Sequence, residues 1–92
     1  MYSILVSLDE AFIYILEQEG INISFILRFA LLKGKESEIA YFHAENIKNI
    51  RLNLESSYFV LLSSACRKNH CYVNEYAGEL IIETFLQIIF HE

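Results

Sequence analysis

Ile21-Asn22-Ile23-Ser24-Phe25-Ile26-Leu27-Arg28-Phe29-Ala30-Leu31 is the stretch on which the fold turns. Read at a period of two, Ile21, Ile23, Phe25, Leu27, Phe29 and Leu31 share one side. Asn22, Ser24, Arg28 and Ala30 then fall on the other, the pattern of a half-buried strand. A helix over Ser24 to Lys33 would scatter the aromatic residues around its axis. The alternation favours a strand, closed by a hairpin turn at Lys33-Gly34-Lys35-Glu36 and answered by a returning strand from Ile39 to Ala44.

Upstream, Tyr2 to Ser7 alternates as a short strand. Ser7 and Glu10 stand at capping-box spacing, which predicts a helix from Leu8 to Glu19 ended by Gly20. Downstream, residues 44–50 fit either one helical turn or a strand bulge. Arg51-Leu52-Asn53-Leu54-Glu55 alternates again, and Ser56-Ser57 marks a turn. Tyr58 to Ser64 is an apolar strand core, Arg67 to His70 a second hairpin loop, and Cys71-Tyr72-Val73 the return. Asn74 is a favourable N-cap for a helix from Glu75 to about Phe90, in which Gly78 marks a close approach to the sheet. No internal repeat or linker is evident. The expected architecture is α+β. A small antiparallel β-sheet of four to five strands carries an N-terminal and a C-terminal helix, residues 1–92 forming one domain. An all-α bundle is the alternative.

Composition narrows the class. The 92 residues are 54% hydrophobic with no proline, which excludes intrinsic disorder. The chain is too short for a barrel or doubly wound enzyme fold. Ile21 to Leu32 and Leu80 to Phe90 fall short of the roughly 20 apolar residues of a membrane span. The first residues lack the basic flank of a secretory signal, so the expected compartment is the cytoplasm, with Cys66 and Cys71 as thiols.

The net charge of −5 is unevenly placed. Residues 1–20 contain Asp9, Glu10, Glu17 and Glu19 and no Lys or Arg; residues 74–92 contain Glu75, Glu79, Glu83 and Glu92 and no Lys or Arg. All seven bases lie between. The acidic balance counts against nucleic-acid binding. Both expected helices are also apolar over more than one face, Ala11 to Leu16 in the first and Leu80 to Phe90 in the second. So wide an apolar surface points to a protein interface.

Reactive chemistry is sparse. Across a hairpin, Cys66 and Cys71 would face one another, with Arg67, Lys68 and His70 to lower a thiol pKa. A metal site would need His43 or His91 as further ligands. Packed thiols are the simpler reading, and no glycine-rich phosphate loop occurs. The expectation is a small acidic non-catalytic protein with no cofactor and no bound metal. It would bind and inhibit or modulate another protein with a basic surface, such as a nucleic-acid-processing protein, by analogy with phage anti-defence and toxin-immunity proteins. Asp9, Glu10, Glu17, Glu19, Glu75, Glu79, Glu83, Phe85 and Ile89 are the expected partner-binding residues. The alternatives are a self-associating subunit such as a homodimer, and a single-stranded nucleic-acid binder using aromatic and basic strands.

Overall fold

The structure is a computed structural model and describes residues 1–34 and 46–90. The chain runs β1 (Tyr2–Asp9), α1 (Glu10–Gln18), α2 (Ile23–Leu32), β2 (Ile47–Leu54), α3 (Ser56–Asn69) and α4 (Val73–Phe90). Strands β1 and β2 form one antiparallel two-stranded ribbon, and the helices stack behind it.

This corrects the expected sheet of four to five strands: among the described residues there are two strands and four helices. The deciding stretch is a helix. Asn22 caps it, its side-chain oxygen accepting from the amides of Ser24 at 2.9 Å and Phe25 at 3.4 Å. Ile26, Leu27, Ala30 and Leu31 form its buried stripe. The scattered aromatics, which argued for a strand, are tolerated at the margin. Phe25 is exposed, and Phe29 lies under the Lys33 ammonium at 5.7 Å.

Tyr58 to Ser64 likewise winds into α3, with Leu62 and Cys66 one turn apart on its buried side. Arg67 to His70 is the end of that helix and not a hairpin loop, and residues 71–72 lead into α4 without forming a strand. At the first helix the cap is Asp9, which accepts from the Ala11 amide at 2.8 Å, while Ser7 remains in β1. The expected strand from Ile39 to Ala44, the turn residues Lys35 and Glu36, and His43 and His91 lie outside the described residues.

The chain also contains a repeat that its sequence conceals. A strand–helix–helix unit occurs twice. Ile4, Val6 and Leu8 correspond to Ile50, Leu52 and Leu54, all inward. Leu16 and Leu62 are both fully buried. In the second helices, Ile26, Leu27, Ala30 and Leu31 correspond to Tyr76, Ala77, Leu80 and Ile81, again all buried. The connections match too: the Ile21 amide donates to Leu16 O at 2.9 Å, and the Cys71 amide to Cys66 O at 3.1 Å. Helix α3 is longer than α1, 14 residues against 9, which shifts the numbering between the units. Leu5 and Arg51 are paired in the ladder and are also counterparts in the repeat, so the ribbon has a local two-fold axis between them, which the unequal packing of α2 and α4 does not follow.

One core joins all six elements. Helix α4 lies closest to the ribbon. Gly78 permits this, because a Cβ there would overlap the Ser7 carbonyl oxygen. Its counterpart Arg28 instead reaches the ribbon through Nη2, which donates to Asn53 O at 3.4 Å, and pairs with Glu55 at 3.2 Å. The apolar surplus is only partly covered: Leu86, Ile88, Ile89 and Phe90 remain exposed at the end of α4.

Candidate site on the outer face of the ribbon

Each ribbon strand has two faces. Burial of Ile4, Val6, Leu8, Leu52 and Leu54 against the helices fixes which face is inward. The other face then carries Ser3, Leu5, Ser7 and Asp9 from β1 and Ile47, Asn49, Arg51 and Asn53 from β2. The register sets Ser3 opposite Asn53, Leu5 opposite Arg51, and Ser7 opposite Asn49. Ser7 and Asp9 are half-buried, and the other six are exposed.

The side chains are tied to one another. Ser7 Oγ donates to Asn49 Oδ1 at 2.7 Å and accepts from Asn74 Nδ2 at 3.1 Å. Arg51 Nη1 donates to Ser3 Oγ at 3.1 Å. The Asn74 bond brings the start of α4 to the border of the ribbon. Beside it opens a largely apolar hollow of about 530 Å³, where Ile4, Leu5, Phe59 and Val73 line the wall together with Ser3, Asn49, Arg51 and Asn74. Tyr2 stacks on Phe59 at 4.4 Å and anchors the end of β1 to α3.

Ser3, Ser7, Asn49, Arg51 and Asn53 make an array of hydroxyl, amide and guanidinium groups around Leu5, with Asp9 and Ile47 at one end of the face. Such groups hydrogen-bond a polar, edge-presenting ligand. The sequence signal was present in the alternation of Tyr2 to Ser7 and of Arg51 to Glu55. It could not show that these distant segments pair, and so could not assemble the face.

The residues expected to bind a partner lie on or beside α1 and α4, which meet at Phe12 and Phe85. Asp9 caps α1. Glu10, Glu17 and Glu19 are exposed on or just after α1, and Glu75 is exposed in the first turn of α4. Glu79 and Glu83 are half-buried and adjacent; burial, then the Glu83 charge, raises the Glu79 carboxyl above the usual range. Phe85 is buried and meets Phe12 edge-on at 5.4 Å. Ile89 is exposed.

Cys66 and Cys71 are free thiols at the α3–α4 junction. They do not face each other across a hairpin. Cys71 Sγ lies 3.7 Å from Cys66 O. Burial first, then neighbouring Cys71, pushes the Cys66 thiol up to about 12, which leaves it protonated near neutral pH and a poor nucleophile. Among the described residues, no group of three or more His, Cys, Asp or Glu side chains is placed to hold a metal ion, and no helix is long and apolar enough to cross a membrane.

The chain matches no protein-family model, no curated protein and no solved structure. Its functional reading therefore rests on the ribbon and its surroundings.

Proposed function

We propose that the protein is a non-catalytic binder of duplex DNA that lays the β1–β2 ribbon into the major groove. The observation that carries this reading is the outward array of Ser3, Leu5, Ser7, Asn49, Arg51 and Asn53. The major groove, about 12 Å wide, admits a two-stranded ribbon, whose strands lie about 4.8 Å apart. Arginine pairs with guanine O6 and N7, asparagine with adenine N6 and N7, serine with either, and an apolar side chain meets the thymine methyl. The helices act as a rigid back.

Overall acidity opposes phosphate contact, so recognition rests on base edges more than on counterion release. Affinity then falls gently with salt, with a logarithmic slope on the order of −2 to −3. Fluorescence anisotropy at about 50 mM salt, with duplexes enriched by the chain from a random library, tests the reading. Arg51→Ala, exposed and away from the core, is expected to weaken retention about 10- to 100-fold. No retention of any duplex by the unaltered chain would dismiss it.

A second reading retains the acidic protein that binds and inhibits or modulates another protein, acting in the cytoplasm. It draws on the exposed Leu86, Ile88, Ile89 and Phe90 at the end of α4. Light scattering at 10.8 kDa counts against self-association through this patch. Capture of a basic protein that survives Ile89→Ser, and also survives Glu75→Lys with Glu79→Lys and Glu83→Lys, counts against a hetero-partner there.

A further inference from the structure

The ribbon repeats its backbone but not its outward chemistry. Under the two-fold relation Ser3 corresponds to Asn49, Leu5 to Arg51, and Ser7 to Asn53. At these three positions the first unit has a short or apolar side chain where the second has an amide or a guanidinium, while beyond them Asp9 and Glu55 are both acids. The inward positions are alike in kind: Ile4 with Ile50, Val6 with Leu52, Leu8 with Leu54. The core has kept a symmetry that the outer face has lost.

The hydrogen bonds follow the same division. Ser3 Oγ accepts from Arg51, and Ser7 Oγ donates to Asn49 while accepting from Asn74. The first strand spends both hydroxyls on orienting the side chains of the second. Holding Arg51 and Asn49 in place before binding lowers the rotamer entropy that a contact must overcome.

Resting on the duplex-DNA reading above, we infer that the chain recognises a non-palindromic site, in which β2 reads the bases and β1 braces it. A ribbon built from two identical units meets identical half-sites, because site symmetry mirrors protein symmetry. Here Asn49, Arg51 and Asn53 follow one another along one strand. From the first to the third they span about 13 Å, close to four base pairs. Their donors suit purine edges. The site is therefore purine-rich on the strand that faces β2, and Leu5, opposite Arg51, meets a thymine methyl.

The experiment is selection of bound duplexes from a random library with the full chain, followed by sequencing. The unaltered protein should return a site without inverted symmetry, its specified purines on one strand. Copying the β2 face onto β1 through Ser3→Asn, Leu5→Arg and Ser7→Asn should return a site with inverted symmetry. Removing the readers through Asn49→Ser, Arg51→Leu and Asn53→Ser should weaken the selected site by at least about 100-fold, whereas Leu5→Ala should cost less than about 10-fold. Circular dichroism checks that each variant keeps its helices. A palindromic site from the unaltered chain, or equal binding of all duplexes, overturns the asymmetry and leaves DNA binding standing. Failure to retain any duplex removes the underlying reading and this inference together.

Discussion

Gly78 of α4 faces the carbonyl oxygen of Ser7 on β1 with no room for a Cβ between them. Glycine inside a helix costs about 1 kcal/mol relative to alanine, so the position gives up helix propensity to let α4 touch the ribbon. The same approach brings Asn74 within hydrogen-bonding distance of Ser7.

Gly78→Ala is expected to destabilise the protein by roughly 1–2 kcal/mol, because the added methyl meets backbone and not a movable side-chain tip. Urea unfolding followed by circular dichroism measures it. A midpoint equal to or above that of the unaltered chain would show that α4 can slide off Ser7 freely.

The two units end their first helices in the same left-handed turn but with different residues, and this gives a stabilising substitution. Gly20 has φ +68 after α1, and at the matching place after α3 stands His70 with φ 54. A side chain in this left-handed region costs about 1–2 kcal/mol, a cost glycine avoids. His70→Gly should raise stability by about 1 kcal/mol, while Gly20→Ala should lower it by a similar amount. Thermal melts of the pair read both signs at once.

Thr84 is 1% exposed, and its Oγ1 has no hydrogen-bond partner. Burying an unpaired hydroxyl costs about 1–3 kcal/mol. Thr84→Val keeps the branched shape and removes that hydroxyl, so the urea midpoint should rise by an amount equivalent to about 1 kcal/mol. An unchanged or lower midpoint would mean that the hydroxyl has found a partner in solution.

Glu79 sets a pH dependence. Burial, followed by the Glu83 charge, raises its carboxyl pKa in the folded state above the ordinary value of 4.5. The folded chain therefore holds this proton more tightly than the unfolded chain does. Glu79 imposes no ionisation cost below the unfolded pKa, and the cost grows as the pH rises through the folded pKa. Glu79→Gln should raise the unfolding midpoint at pH 7, and the gain should shrink as the pH falls toward 4. A gain independent of pH would place its origin outside ionisation.

Several features are legible in the residues themselves. Alternation marks both ribbon strands, since Tyr2 to Ser7 and Arg51 to Leu54 must separate an inward from an outward face. The terminal helical segments are legible from composition, and α4 runs Val73–Phe90 where the sequence indicates Glu75 to Phe90, but neither expected N-cap holds: Asp9 and not Ser7 caps α1, and Asn74 lies inside α4 with its side chain on Ser7. Gly78 signals the close approach that the fold contains. The apolar surplus is readable too, and Leu86 to Phe90 display it except for Gln87.

Tertiary structure alone decided the state of Ile23–Leu32 and Ser56–Asn69. Apolar runs of this length satisfy a period of two and a helical period alike, because apolar residues occupy both odd and even positions. The tie is broken by backbone hydrogen bonding. A helix satisfies its own amides, whereas a strand needs a neighbour along its whole length. Among the described residues, only β1 and β2 meet in a ladder, across about half the chain, and that pairing both creates the outward face and reveals the repeat.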